Sequence, residues 1–505
     1  MIKSEKIKQS IIFLILVVAF VTSFVLKFNQ IKNFKNLLAL DPYYFKAQTF
    51  QILENKKTTS VFPYDTEEKK NIYPIFLPLT VSEIHSITGL DINFLYRIFG
   101  LILTSFLIFL IYIILRLYFA PWTAILGAIF YGFMPYLMFR GQITVAENLG
   151  LVFCLTTFYF FLQKKTLRNI LLVAISWFIW YLVHNSAYYF LPILVLWLIL
   201  SGTIFKKWKI VLPFILIVGL IVLILIKFAP ANNFTYYLVD LSSIFLNSDF
   251  HFVWPILDIF KINFHSFILV SAILGVIFGL YSWIVKKKDL AGIFSIFLLF
   301  ILIFLFYRGQ TLSAEMITPD RFYPFVGLSL VFLASFLAQA IYDFNKTISI
   351  LYGLVFIALS ILPVHNKELS WFELYTPKEV EAADWLRDNT DSQSLVFIQP
   401  LMDRLITGQA QRYIINGEQR AKTQTLTQPN DYLFNKIGMF NRPENYVFIA
   451  KQKLNQYFIA RTTFEPERWM GWPKEWQLYG LDMSKYDGFP KVFENQDVII
   501  YKVER

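Results

Sequence analysis

The sequence predicts a polytopic α-helical membrane protein of about eleven transmembrane helices, followed by a C-terminal α/β extracytoplasmic domain. Three observations predict it. The 505-residue chain is 56% hydrophobic and 19% aromatic, and only 16% of it is charged, whereas soluble chains run at about 45–50% apolar and about 25% charged. The apolar excess gathers into long runs of Ile, Leu, Phe and Val, giving a positive mean hydropathy. After residue 363 the composition turns polar. A water-soluble protein is excluded.

A helix needs about 20 apolar residues to cross a hydrocarbon core of about 30 Å. Stretches that qualify lie at roughly 10–28, 94–115, 121–139, 148–162, 169–184, 186–202, 210–228, 265–285, 291–307, 324–342 and 347–363. The first follows a lysine-bearing N-terminus. It is too long for a signal peptide and lacks a small-residue cleavage site, so it reads as an uncleaved span. The lone cysteine, Cys154, lies inside an apolar run, which leaves no intramolecular disulfide to form.

The short loops orient the spans, because Lys and Arg concentrate on the cytoplasmic side. With a cytoplasmic N-terminus, the even-numbered connections carry Arg116, then Lys164, Lys165 and Arg168, then Lys206, Lys207 and Lys209, then Lys286–Lys288, then Lys346. Much of the +11 net charge therefore faces anionic lipid, and nucleic acid is not needed to explain it. This reading makes the chain an integral protein of the cytoplasmic (plasma) membrane. The 29–93, 140–148, 184–185, 229–264 and 308–323 connections face outward, as does the tail.

The tail, 364–505, reads as α/β. Lys378–Asn389 has a helical pattern behind a Thr376-Pro377 cap. Apolar runs at Ser394–Ile398, Arg412–Ile415, Tyr446–Ala450 and Val498–Val503 read as strands. The domains expected are thus a transmembrane domain over 1–363, with its first outer loop at 29–93, and an extracytoplasmic domain over 364–505.

Acids near hydrocarbon are costly and usually functional, and here they share the outer side. Asp41 opens Asp41-Pro42-Tyr43-Tyr44-Phe45 early in the first outer loop. Glu147 and Asn148 sit where the second outer connection meets the fourth span. Glu315 and Asp320 precede the tenth span, with Arg321 at its threshold. Topology brings residues distant in sequence to one depth. Each has an ordinary reading as well: Asp-Pro initiates turns, and Arg321 can anchor a helix end by snorkelling. A local echo links 139–147 with 307–315, each placing Glu seven residues after Arg, on one face if helical. The flanking spans do not repeat with it.

These motifs, in this order, resemble the GT-C-fold membrane glycosyltransferases, and within that fold the oligosaccharyltransferase catalytic subunits. Asp41-Pro42-Tyr43-Tyr44 resembles their acidic motif after the first span, and Arg140–Leu149 their second acidic motif. Thr318-Pro319-Asp320-Arg321-Phe322 resembles the Arg-Phe start of a late span, with Glu315 near the place of a loop glutamate. Tyr73–Leu101, Ala383–Thr390 and Glu494–Tyr501 also match. Two departures stand out. The second motif lacks its paired acid, since Glu147-Asn148 is followed by Leu149. The WWDYG acceptor motif is missing after Thr390, where Gln399–Arg404 stands instead.

The resemblance implies a GT-C-like catalytic domain that moves a hexosyl or pentosyl group from a polyprenyl-phosphate or polyprenyl-diphosphate donor at the outer membrane face. The acceptor is a glycan, a lipid or a protein. In that scheme Asp41 is the candidate general base and Arg321 the candidate clamp on the donor phosphate. Glu147 and Glu315 could hold Mg²⁺ or Mn²⁺, or could hydrogen-bond sugar hydroxyls in a metal-independent enzyme. Tyr43, Tyr44, Asn148, His184 and Asp320 are candidate pocket residues. The rival class is a lipid-linked-sugar transporter or flippase, which calls for ionisable residues near the midplane and related halves. An oligosaccharyltransferase acting on protein is the alternative within the class.

Overall fold

The computed structural model describes residues 2–58, 63–64, 66, 74–163, 166–184, 186–187, 190–191, 193–195, 266–286, 294–295, 297–298, 323–361, 373–398, 402–414, 442, 444–450 and 483–503. They fall into two compact units. One comprises 1–30, 99–142 and 146–367, and the other comprises 31–98, 143–145 and 368–505.

The first unit is helical. Helix α1 (Ile2–Ile31) and the helices α4 (Ile92–Leu115) and α10 (Tyr323–Phe344) are long and apolar enough to cross a membrane, so the chain is a membrane protein. Shorter apolar helices α7 (Ala146–Leu162), α8 (Leu167–Val183), α9 (Ser266–Lys286) and α11 (Lys346–Ile361) fall on other expected spans. Phe13, Leu14 and Val18 on α1 and Ile273 and Ile277 on α9 are exposed, as suits faces that meet lipid. Close packing fixes neighbours: Gly275 on α9 meets the backbone of Leu333 on α10, where a Cβ would lie 1.8 Å from the carbonyl oxygen. The expected third span, 121–139, is not one helix. It divides into α5 (Pro121–Gly132) and α6 (Pro135–Arg140), with Met134 extended at ψ 130° between them. Pro135 is the physical cause, since its ring lacks an N–H and biases the residue before it away from the α region.

A polar seam runs through this unit beside α1. The Lys27 ammonium donates to the hydroxyls of Thr104 (3.0 Å) and Ser105 (3.2 Å), and Ser105 donates to Ser23. All four residues are fully buried. Their mutual bonds are what makes polar groups tolerable at that depth.

The second unit joins the loop after α1 to the tail. Its sheet has the order β2-β1-β3-β5-β4, formed by β1 (Leu395–Ile398), β2 (Tyr413–Ile414), β3 (Asn445–Ala450), β4 (Lys491–Glu494) and β5 (Val498–Val503). β1 pairs in parallel with β2 and β3, while β5 pairs antiparallel with β3 and β4. Residues of the first loop extend the β2 edge, since Ile414 N donates to the Tyr64 carbonyl at 2.9 Å and Thr66 N to the Ile414 carbonyl at 3.2 Å. That covers an edge otherwise open to pairing. Helix α12 (Pro377–Asn389) starts at a complete capping box, with Thr376 accepting from Glu379 N and Glu379 accepting from Thr376 N. From the first loop come α2 (Asp41–Asn55) and α3 (Phe76–Thr88), and Gly89 ends α3 at φ +69°.

Candidate functional site

The acidic motif of the first loop becomes the start of a helix. Asp41 is the first residue of α2 and Pro42 stands in its first turn, the place where proline is tolerated and a carboxylate faces the positive helix end. Tyr43, Tyr44 and Phe45 follow and are all buried.

Asp41 meets a residue of the tail. The short helix α13 (Asp403–Leu405) continues as a π-helical turn, Ile406–Ala410, and packs on α2. Arg404 Nη1 donates to Asp41 Oδ1 at 2.6 Å, with Arg404 18% and Asp41 35% exposed. The guanidinium also lies over the Tyr44 ring, 5.8 Å from its centroid. Gly408 makes the close approach possible, because a Cβ there would fall 2.2 Å from the Tyr43 carbonyl oxygen. Tyr43 packs edge-on against Tyr375, centroids 5.0 Å apart. Burial raises both phenols above their ordinary values and keeps them neutral.

A second polar link holds the same surfaces. Lys46 Nζ donates to Gln409 Oε1, and Gln409 Nε2 donates to Asp384 Oδ1 at 2.6 Å. Asp384 in turn pairs with Arg387 at 2.7 Å. Desolvation pulls the buried Lys46 ammonium down to about 7.

In the helical unit, Glu147 lies in the first turn of α7 and is 3% exposed. Arg140 holds it through two nitrogens, Nε and Nη2, both 2.9 Å from Oε2. Tyr136 OH adds a bond of 3.4 Å to Oε1. The seven-residue spacing does not put the pair on one helical face, as a continuous helix would have done. Arg140 ends α6 and Glu147 lies in the first turn of α7, and residues 141–145 join the two helices. Asn148 is fully buried beside Glu147. His184 caps α8, with Nδ1 2.7 Å from Ser186 Oγ, and its Cβ lies close enough to bar a Cβ from Gly150 on α7.

The structure therefore brings Asp41, Tyr44 and Arg404 together in one unit, and Tyr136, Arg140 and Glu147 in the other. Glu315, Asp320 and Arg321 lie outside the described residues, as do the seventh expected span and the 229–264 loop. Sequence reasoning missed Arg404 and Lys46 as members of the Asp41 surroundings. A signal existed for each: Arg404 stands where the resemblance places an acceptor motif, and Lys46 is a lone cation inside an aromatic run.

The described acids do not form a ready set of oxygen ligands. No group of three His, Cys, Asp or Glu side chains gathers as a metal site among the described residues. Asp41 and Glu147 are each engaged by a guanidinium, whose charge would oppose a divalent ion on the same oxygens.

Comparison with known proteins places the architecture. No protein-family model matches the sequence, and no curated protein matches it. Solved structures do. The oligosaccharyltransferase of Archaeoglobus fulgidus in its apo form superposes with a TM-score of 0.65 at 12% identity, over 90% of this chain and 71% of that one. The archaeal oligosaccharyltransferase AglB from Archaeoglobus fulgidus, in complex with an inhibitory peptide and a dolichol-phosphate, gives 0.62 at 12% identity over the same shares. ArnT from Cupriavidus metallidurans in the apo state gives 0.56 at 10% identity, over 98% of each chain. The fold of this chain is that of the GT-C membrane glycosyltransferases.

Proposed function

We propose that this protein is a GT-C glycosyltransferase that moves a sugar from a polyprenyl-phosphate or polyprenyl-diphosphate donor to an acceptor at the outer membrane face. The observation that carries the reading is the placement of Asp41. The first acid of the motif stands at the head of a short helix, seated against the tail, inside a fold whose solved relatives include one bound to dolichol-phosphate.

In the proposed reaction an acceptor oxygen or nitrogen attacks the anomeric carbon, and the bond from that carbon to the phosphate oxygen breaks. Asp41 takes the acceptor proton, a contribution of roughly 10²–10⁴-fold for a well-aimed base. The lipid phosphate leaves as an anion and needs no protonating acid. Arg321 is proposed to neutralise it, since a planar guanidinium matches phosphate oxygens. Glu147, held by Arg140, is proposed to hydrogen-bond sugar hydroxyls, and Asn148 and His184 are proposed as further pocket residues. Glu315 and Asp320 are proposed as further site residues. The proposed acceptors remain glycan, lipid or protein, and the proposed setting is the plasma membrane with the tail outside.

The test uses purified protein, a panel of polyprenyl-linked sugars, and release of the lipid phosphate as the readout. Turnover of at least one donor is expected. No release from any donor, together with passage of intact lipid-linked sugar across a vesicle membrane, would establish the transporter instead.

A further inference from the structure

We propose that Arg404, contributed by the tail, is the positioning residue of Asp41. It ties down one carboxylate oxygen so that the other is presented to the acceptor. The inference rests on the reading of Asp41 as the base and adds the device that aims it.

The geometry divides the two oxygens. Oδ1 accepts from Arg404 at 2.6 Å. Among the described residues Oδ2 has no hydrogen-bond partner, and the Asp41 side chain keeps 35% of its exposure. A carboxylate held by one oxygen has a fixed rotamer and a fixed direction for its remaining lone pairs. A base must lie within hydrogen-bond reach of the proton it takes, so that direction decides the rate.

Arg404 is itself held from more than one side. Its guanidinium lies over the Tyr44 ring. Its short helix runs into a π-helical turn, a rare element that occurs frequently at functional sites. That turn is seated on α2 twice, by the Gly408 contact with Tyr43 and by the Lys46–Gln409 bond. Partly exposed ion pairs contribute little to stability. Two independent seats for one such pair are therefore better explained by alignment than by stability.

The test uses the full-length protein and the donor that the panel shows to be turned over. Arg404→Gln is expected to lower kcat about 10²-fold, the cost of misplacing a reacting group by about 1 Å, with donor KM within about two-fold of wild type. Arg404→Lys is expected to recover part of the rate, because an ammonium can still donate to Oδ1. Methylguanidinium added to Arg404→Ala is expected to restore turnover saturably, which a purely structural loss would not allow. In an Asp41→Asn background, Arg404→Gln is expected to cost nothing further. Wild-type kcat in Arg404→Gln alongside an inactive Asp41→Asn would overturn this proposal and leave the base assignment standing. A failure of both Arg404→Lys and methylguanidinium to recover any rate would overturn it equally. Full activity in Asp41→Asn would remove the base assignment itself.

Discussion

The Gly408–Tyr43 approach offers a perturbation whose size can be worked from the structure. In Gly408→Ala the new Cβ would lie 2.2 Å from the Tyr43 carbonyl oxygen, 2.8 Å from its carbon and 3.0 Å from its Cα. All three are backbone atoms, so no side-chain rotation relieves the clash. Carbon contacts are comfortable at roughly 3.5 Å, and the π-helical turn has to withdraw from α2 by about 1 Å to reach that spacing. Overpacking of this kind costs about 1–3 kcal/mol. Arg404 lies four residues before Gly408 in the same segment, so withdrawal stretches its 2.6 Å bond to Asp41. The expected outcome is a lowered thermal midpoint in detergent and a kcat reduced about 10²-fold, with donor affinity retained. Thermal unfolding and lipid-phosphate release on one preparation measure both. Wild-type stability and turnover in Gly408→Ala would refute the close seating of this turn on α2.

Three further outcomes are expected. Lys46 titrates in the folded protein near 7, against an ordinary value of 10.5, so the unfolded chain binds the extra proton between those values. Stability of the α2 contact should rise with pH across that window by at most about 1.4 kcal/mol per pH unit, and Lys46→Met should abolish the dependence in unfolding followed from pH 7 to pH 10. Glu147→Leu removes the buried carboxylate that Arg140 and Tyr136 hold and should destabilise the helical unit by about 1.5–3 kcal/mol; Glu147→Gln should cost less, because its amide oxygen still accepts from Arg140, and chemical denaturation ranks the two. Thr376→Ala removes a capping box and the 2.7 Å bond from Thr376 Oγ1 to Asp497, and should cost about 1–2 kcal/mol with kcat unchanged, as read by unfolding and turnover together.

Local signals in the sequence are legible wherever the physics is local. Thr376-Pro377 announces α12 because a hydroxyl cap, a first-turn proline and an acid three residues on act within one turn. The runs at 394–398, 446–450 and 498–503 read as strands because their side chains are buried as a block, and β1, β3 and β5 form there. Lys491–Glu494 gives no such signal, since four residues with mixed exposure at a sheet edge carry almost no pattern. The break at Pro135 is hidden when hydropathy is averaged across the whole 121–139 window. The Asp41–Arg404 pair cannot be read at all, because it joins residues 363 positions apart and follows from how the tail folds onto the first loop. For Glu147 the spacing from Arg140 is visible, whereas the turn that actually joins them is not. Arg404, the partner of Asp41, stands in a segment whose sequence carries no pattern pointing to that acid.

Whether Asp41 acts on an acceptor while a lipid-linked sugar is bound comes down to one comparison. Donor binding and lipid-phosphate release are measured side by side for wild type and Asp41→Asn, using the same polyprenyl-linked sugar. A base at this position predicts equal donor affinity and a release rate at least about 10²-fold lower in the variant. Equal rates in the two proteins would contradict it.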